Sequence, residues 1–220
     1  MIKTTKAYKG IPMEGVIASW YAKTTLNDIN RHKVMAREMA ERIPVNGKVL
    51  EIAPGPGYFC IELAKLGDYQ ITGLDISKSF VEIATKNARE AGIRADFRLG
   101  NASAMPFANE TFDFSFCQAA FKNFTEPVKA IAEMYRVLKP NGTAVIVDMR
   151  RDASSEEIDR ETDGMNVGRI NAMFVRLTFK HMLRKSAYSI ADMQAMVAQT
   201  PFREGRIDRG GIGFQLWLEK

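Results

Sequence analysis

The sequence predicts an α/β fold in which a doubly wound, mostly parallel sheet carries helices on both faces. Three observations support this prediction. Short apolar segments alternate with segments of helical period along most of the chain. The apolar segments are apolar nearly throughout, which is typical of parallel strands covered on both faces. A Pro-Gly-Pro-Gly turn at residues 54–57 joins the first strand directly to a helix, and ligands of such sheets bind beyond this edge.

The predicted strands are rich in β-branched and aromatic residues and cover 48–53, 70–77, 95–102, 112–120 and 143–149. The predicted helices carry apolar residues three and four positions apart and cover 27–43, 58–66, 77–92 and 127–138. Ser77 can cap the third of these helices and Gly92 can end it. At 220 residues and 46% hydrophobic content, the chain is long enough for one domain, 1–220, with a sizeable core.

Composition narrows the possible functions. The sequence contains no apolar run approaching the ~20 residues that cross a bilayer, and its first residues lack the apolar core of a secretory signal. Cys60 and Cys117 lie in apolar segments, so we expect reduced thiols in a cytoplasmic protein and no structural zinc site. The net charge of +5 is spread along the chain with acids in between, and it indicates no particular partner.

The turn after the first strand, "VLEIAPGPGYFCIELAK" at residues 49–65, predicts a cofactor site. Gly55 and Gly57 remove Cβ atoms where a ligand would lie against the backbone, and the helix that follows directs free N–H groups there. A dinucleotide would favour a third glycine, but Cys60 stands at that position. In addition, the acid Glu51 precedes the turn. Of the two kinds of nucleotide cofactor that this turn could bind, a dinucleotide is therefore the less favoured.

This stretch resembles the class I S-adenosylmethionine-dependent methyltransferases, whose first strand ends in an acid-x-Gly-x-Gly-x-Gly turn. Glu51, Gly55 and Gly57 match that turn, and Ala53 stands where the family has its first glycine. The resemblance implies that the loop cradles the methionine half of S-adenosyl-L-methionine.

The end of the second strand, "TGLDIS", supplies a candidate for the cofactor's ribose. Asp75 has two acceptor oxygens, which suit the two ribose hydroxyls, and Ile76 would pack on the adenine. Dinucleotide enzymes place an acid similarly, so Asp75 does not separate the two cofactors.

The end of the third strand, "LGNASAMPF", resembles the family's Gly-Asp-Ala-x-x-Leu-Pro-Phe stretch. Asn101 stands where the family's acid binds the adenine amino group, and the next backbone N–H, that of Ala102, would meet a ring nitrogen. The alternative is that Asn101 stabilises its own turn.

The resemblance spans residues 45–150 and includes the "RVLKPNG" turn before the fifth strand. It continues more weakly in "YSIADMQAMVAQTPFREGRI" and "GIGFQLWLEK", which implies a C-terminal antiparallel hairpin that completes a seven-stranded sheet. The segment from the fourth to the fifth strand also resembles small-molecule methyltransferases of the quinone-biosynthesis type. An RNA or protein methyltransferase of the same fold, an NAD-dependent oxidoreductase and a binding-only protein remain alternatives.

The sequence says less about the residues that would bind the methyl acceptor. Gln118 lies where the family's chain passes the transferred methyl group, and we expect it to contact the cofactor. Quinone-type members carry a histidine pair after the fourth strand, where this chain has Ala120–Phe124. Methyl transfer can proceed by positioning alone, so no catalytic base is assigned. The Asn-Pro-Pro-Tyr motif of amino-nitrogen methylators is missing at this strand end, and no DNA substrate is expected.

Two segments outside the common core are predicted to cover the site. Residues 1–44 form a helical lid segment in which Tyr21 would donate to the cofactor's carboxylate or simply pack the helix down. Residues 150–186 form a helical insertion whose stretch 166–185 has five basic residues and no acid. The candidate substrate contacts here and after the fourth strand are Phe121, Arg150, Phe174 and Arg176. A solvated basic face or a membrane-surface helix are the alternatives for 166–185.

Overall fold

A seven-stranded sheet runs through the part of the chain that the computed structural model describes, residues 8–9, 13–164 and 186–220. Its strands are β1 Lys48–Ile52, β2 Gln70–Asp75, β3 Ala95–Leu99, β4 Phe112–Gln118, β5 Leu138–Met149, β6 Arg206–Gly210 and β7 Gly213–Glu219. They lie in the order β3-β2-β1-β4-β5-β7-β6. The pairs among β1 to β5 are parallel, and β7 pairs antiparallel with both β5 and β6. The predicted fold class and its C-terminal hairpin are confirmed.

Helices cover both faces of this sheet. They are α1 Gly15–Thr25, α2 Ile29–Ala40, α3 Tyr58–Ala64, α4 Lys78–Glu90, α5 Pro127–Val137, α6 Ser155–Gly164 and α7 Ile190–Ala198. Consecutive strand residues point to opposite faces, so Leu50 joins a core cluster with α5 and α7, whereas Val49 joins one with α2 and α3. Each cluster is built from fully or nearly fully buried apolar side chains. The uniformly apolar strand segments of the sequence reflect this burial on both faces.

The register of the parallel strands brings four strand ends to one edge. Ile52 of β1 pairs with Leu74 of β2 and with Cys117 of β4, and Cys117 pairs with Ile146 of β5. The residues that follow these positions therefore lie side by side at the carboxyl edge. In the open α/β sheets, this edge is where ligands bind.

Several element boundaries differ from the predictions. β5 begins at Leu138 rather than at residue 143, because Leu138 pairs with Phe112 ahead of a register shift in β4. α1 is a separate helix before α2, joined to it by a short 3-10 turn at Leu26–Asp28. β3 and β4 end earlier than predicted, because the chain turns away after Leu99 and Gln118. Among the described residues, no helix is long and apolar enough to cross a membrane.

Candidate functional site

The turn after β1 contains two glycines with different surroundings. Both have positive φ angles, +55° at Gly55 and +80° at Gly57. A Cβ added to Gly57 would lie 3.0 Å from Ala84 and from Phe97, so this glycine permits close packing of the turn. A Cβ added to Gly55 would meet nothing within 4 Å. Gly55 therefore faces open space, in which a ligand can approach the backbone.

Ala53, where the family has its first glycine, also adopts a left-handed conformation, with φ at 56°. This region disfavours residues that carry a Cβ atom. Its N–H donates to the carbonyl oxygen of Leu74 at 2.8 Å, which ties the turn to the end of β2. The conformation that a glycine would adopt is thus retained by an alanine.

Asp75 at the end of β2 is tied to the same turn. Its Oδ2 accepts the backbone N–H of Gly55 at 3.0 Å, and its Oδ1 accepts that of Ser77 at 2.9 Å. Burial raises the pKa of this carboxyl to about 6, against the lowering effect of these hydrogen bonds. Each oxygen keeps one lone pair free, so the carboxylate can still accept from two hydroxyls. The structure brings Gly55 and Asp75 together, as the sequence predicts.

Glu51 lies in the interior beneath the turn. Its Oε2 accepts the Cys60 thiol, with 2.8 Å between the sulfur and the oxygen. Burial raises the pKa of this carboxyl to about 7. The charge of Glu51 can therefore change near neutral pH.

The residues predicted to contact the adenine lie beside Asp75. The Ile76 side chain is 41% exposed, so its apolar surface is accessible to a ligand that lies beside Asp75. Asn101 Oδ1 accepts the backbone N–H of Ser103 at 2.9 Å, so Asn101 stabilises its own turn, which was the alternative prediction. Ala102 lies in that turn and packs against the core.

The end of β4 carries an unpartnered polar atom. Gln118 Oε1 is buried and accepts no hydrogen bond from the described residues. The next residue, Ala119, has φ at 56°, so the chain turns sharply there. Phe121 is fully buried and packs against the rings of Phe124 and Tyr188, at 5.4 and 5.9 Å between centroids. Phe121 therefore supports Tyr188, a residue that the sequence analysis did not single out.

Helix α1 packs against α4, the helix that follows β2. Tyr21 of α1 packs edge-on against Phe80 of α4 at 5.7 Å. Burial raises the pKa of Tyr21, and the charges of Asp28, Asp148 and Asp75 raise it further.

Two side chains anchor the N-terminal segment beside β2. Glu14 accepts the backbone N–H groups of Lys78 and Ser79, both at 3.0 Å, at the start of α4. Ser77 caps the same helix by accepting the Phe80 N–H at 3.1 Å, and its hydroxyl donates to the Met13 carbonyl at 2.6 Å. The Ser77 cap was predicted. The Glu14 contact was not, because its partners lie more than sixty residues away.

Arg150, predicted as a substrate contact, is 6% exposed and faces the start of α6. Its guanidinium pairs with Glu157 and donates to the carbonyl oxygens of Asp152 and Gly211. These contacts support α6, so we do not carry Arg150 forward as a substrate contact. Phe174 and Arg176 lie outside the described residues.

A buried ion pair between Lys122 and Asp148 also borders the site and was missed in the sequence. The available signal was weak: Asp148 is the single acid in the apolar stretch "TAVIVDM", and Lys122 stands between aromatic segments.

The strand order, with β7 inserted antiparallel beside β5, agrees with the fold that the sequence resemblance implies, and Gly55 and Asp75 meet at the carboxyl edge of the sheet. The residues present fit S-adenosylmethionine. Gly55 faces open space, Asp75 retains acceptor capacity for hydroxyls, and Gln118 holds an unpartnered amide oxygen.

Comparison with known proteins agrees with this class. Residues 50–146 match the model of a methyltransferase domain. The demethylmenaquinone methyltransferase of Deinococcus radiodurans is 31% identical over 137 residues, 62% of this chain and 51% of that protein. The ubiquinone/menaquinone biosynthesis C-methyltransferase UbiE of Marinomonas sp. is 33% identical over 110 residues, 48% of this chain and 44% of that protein. The chain thus spans about half the length of these relatives.

A solved structure from Methanococcus maripaludis, assigned provisionally to the S-adenosyl-L-methionine-dependent methyltransferases, has the same fold. It superposes with a TM-score of 0.77 at 22% identity, covering 96% of this chain and 95% of that one. Residues 50–146 therefore match a methyltransferase domain, and the chain shares its fold with a solved structure of that class. These matches agree with the predicted resemblance to the S-adenosylmethionine-dependent methyltransferases and with the cofactor that it implies.

Proposed function

We propose that this protein transfers the methyl group of S-adenosylmethionine to a small-molecule acceptor. The observation that carries the proposal is the hydrogen bond of 3.0 Å between the Gly55 N–H and Asp75 Oδ2. It couples a glycine turn that faces open space to a buried carboxylate with free lone pairs. Together they form the two halves of a site for a nucleoside with an attached amino-acid chain.

The nucleoside half would be held at β2 and β3. Asp75 accepts hydrogen bonds from the two ribose hydroxyls, and the exposed side chain of Ile76 covers one face of the adenine. The amide of Asn101 and the N–H of Ala102 would meet the adenine edge. Since Asn101 Oδ1 already accepts the Ser103 N–H, it contributes its second lone pair.

The methionine half would lie along the glycine turn toward β4. Gly55 admits it against the backbone, the unpartnered Gln118 oxygen can accept from its ammonium, and Tyr21 can donate to its carboxylate. Glu51 and Ala53 shape the floor of the turn. S-adenosylmethionine supplies a methyl group on a positively charged sulfur, so the protein needs to orient the acceptor rather than activate the donor.

The acceptor would bind beyond the ends of β4 and β5, where Phe121 supports Tyr188. The relatives named above methylate quinone precursors according to their names, which favours a small aromatic acceptor. Phe174 and Arg176 remain proposed contacts from the 150–186 insertion, which would cap this side as residues 1–44 cap the other. We further propose a cytoplasmic location and a substrate other than DNA.

Turnover with methyl-labelled S-adenosylmethionine against metabolite, RNA and protein fractions of a cell extract tests the proposal. We expect label in the small-molecule fraction only. Asp75→Ala should abolish this labelling, and Asp96→Ala, an exposed acid on the neighbouring strand, should leave it unchanged. Labelling of the RNA or protein fraction would show that the acceptor is a macromolecule rather than a small molecule. Cofactor binding without labelling of any fraction would indicate a binding protein.

A further inference from the structure

A buried ion pair joins the turn after β4 to the end of β5. Lys122 Nζ lies 2.9 Å from Asp148 Oδ1, and the two side chains are 9% and 2% exposed. Asp148 Oδ2 accepts the backbone N–H of Lys122 at 3.0 Å, and Oδ1 also accepts that of Met149 at 2.8 Å. Both carboxyl oxygens are thus engaged by the protein. Because removing two charges from water is unfavourable, such a pair is weak evidence for stability alone.

The same ammonium holds the backbone of the turn. Lys122 Nζ donates to the Ala119 carbonyl at 2.6 Å, and the Ala119 N–H donates to the Val147 carbonyl at 2.8 Å. Ala119 has φ at 56°, a conformation that alanine disfavours. Strained backbone of this kind persists only where the surrounding structure determines it, and it concentrates at functional sites. Here Lys122 holds the Ala119 carbonyl, and the Val147 carbonyl of β5 holds the Ala119 N–H.

The residue that this turn orients is Gln118, whose buried Oε1 accepts nothing from the described residues. A buried acceptor without a partner is costly, and Gln118 Oε1 is available to accept a hydrogen bond from a bound ligand. Ile52 of β1 pairs with Leu74 on one side and with Cys117 on the other, so the residues that follow them, Asp75 and Gln118, lie at the same edge of the sheet. Gln118 therefore stands between the ion pair and the candidate cofactor site.

We propose that Lys122 and Asp148 are positioning residues, whose ion pair holds the turn at Ala119 so that the amide oxygen of Gln118 meets the cofactor. The inference rests on the proposed function, because it assigns the partner of Gln118 to S-adenosylmethionine. Neither charged group contacts the cofactor in this account. Both act through the backbone between Gln118 and Lys122.

The chain provides a matched control for this role. Lys139 and Asp113 also join β5 to β4, with Lys139 Nζ 2.8 Å from both Asp113 oxygens. This second pair lies at the opposite edge of the sheet, where the strands begin. It is more exposed, with side chains 37% and 21% accessible, and a variant that breaks it removes an ion pair between β4 and β5 without touching the site.

Calorimetric titration with S-adenosylmethionine tests the proposal on the wild type, Lys122→Met, Lys122→Arg and Lys139→Met. We expect Lys122→Met to weaken cofactor binding about tenfold, the effect of losing one well-placed hydrogen bond. Lys122→Arg, which keeps the cation, should stay within about threefold of the wild type, as should Lys139→Met. Thermal unfolding of each variant separates loss of affinity from loss of folded protein.

A double variant guards against misfolding of Lys122→Met, in which the buried Asp148 loses its counter-ion and keeps only backbone N–H donors. Lys122→Met combined with Asp148→Leu replaces the pair by apolar groups, which buried pairs commonly tolerate. We expect this folded protein to lose about tenfold in cofactor affinity as well. Wild-type affinity in the double variant, or equal losses in Lys122→Met and Lys139→Met, would overturn the positioning role. A wild type that binds no S-adenosylmethionine would overturn the proposed function itself, and this inference with it.

Discussion

The carboxylate of Glu14 lies against the first turn of α4, where it accepts the backbone N–H of Ser79 at 3.0 Å. It accepts the N–H of Lys78 at the same distance, so it satisfies two of the free donors at the start of this helix. Hydrogen bonds from Ser79 lower the pKa of Glu14, with smaller contributions from Ser77 and Lys78. The N-terminal segment is thereby attached to the helix that begins beside Asp75.

The Glu14 contact predicts a small, pH-dependent contribution to stability. A carboxylate with a lowered pKa stabilises the fold above its ordinary pKa of 4.5, and this contribution is lost as the pH falls through the lower, folded value. Because Glu14 is mostly exposed, we expect Glu14→Gln to cost less than ~1 kcal/mol at pH 7. Thermal unfolding of the wild type and of Glu14→Gln at pH 7 and pH 3 measures this difference in stability. A difference that stays constant between these pH values would contradict the charged cap.

Ala53 predicts a stabilising substitution. Its φ of 56° strains alanine, and Ala53→Gly relieves that strain while giving the unfolded chain more freedom. We expect a net gain of roughly 0.5–1 kcal/mol in the free energy of unfolding. Ala102→Gly is the control, since Ala102 lies in the turn after the third strand without a positive φ, and it should lose stability. Chemical denaturation compares the three proteins, and a loss for Ala53→Gly would show that its methyl packing outweighs the strain.

Alanine substitutions at Gly55 and Gly57 should affect stability and cofactor binding differently. Gly55→Ala places a methyl group in open space, so its stability cost is limited to the backbone, about 1 kcal/mol, while the methyl occupies the cofactor's position. Gly57→Ala also collides with Ala84 and Phe97 and should cost about 2 kcal/mol or more. Denaturation and cofactor titration are measured on both. Full cofactor affinity in Gly55→Ala would show that the ligand does not approach this face.

The raised pKa of Asp75 predicts how stability and cofactor affinity depend on pH. The folded protein binds this proton more tightly than the unfolded chain, so stability from this group is lost as the pH rises from 3.8 through about 6. Ribose hydroxyls favour the ionised form, so affinity should fall up to about tenfold per pH unit below pH 6. Titrations in a Glu51→Gln background isolate Asp75, because the pKa of Glu51 is about 7. Asp75→Asn in that background should bind weakly with a flat pH profile. If cofactor affinity in the Asp75→Asn variant still depended on pH to the same degree, a group other than Asp75 would be responsible.

The sequence predicts the doubly wound parallel sheet and its cofactor edge because both leave local patterns. Uniformly apolar strands, helical periods and a glycine turn are each visible within ten or twenty residues. Asp75 follows from its place at a strand end, and Ser77 from its place before a helix. The bounds of β5 were wrong because its first residue pairs across a register shift, which no local pattern records.

The contacts that close the site are invisible in the sequence for a different reason. Glu14 finds its partners in α4, and Lys122 finds Asp148 only after β4 and β5 pair. Arg150 illustrates the converse. Its charge and its place after β5 suggested a substrate contact. In the structure, however, it pairs with Glu157 in the first turn of α6. Side-chain partners between distant elements require the fold before they can be assigned.

Calorimetric titration of the wild-type protein with S-adenosylmethionine and, separately, with NAD tests the central claim most directly. We expect saturable, micromolar binding of S-adenosylmethionine and none of NAD. Asp75→Ala, titrated in parallel, should lose at most roughly 1.5–3 kcal/mol of binding free energy for each ribose hydrogen bond. Saturable binding of NAD without binding of S-adenosylmethionine would contradict the account.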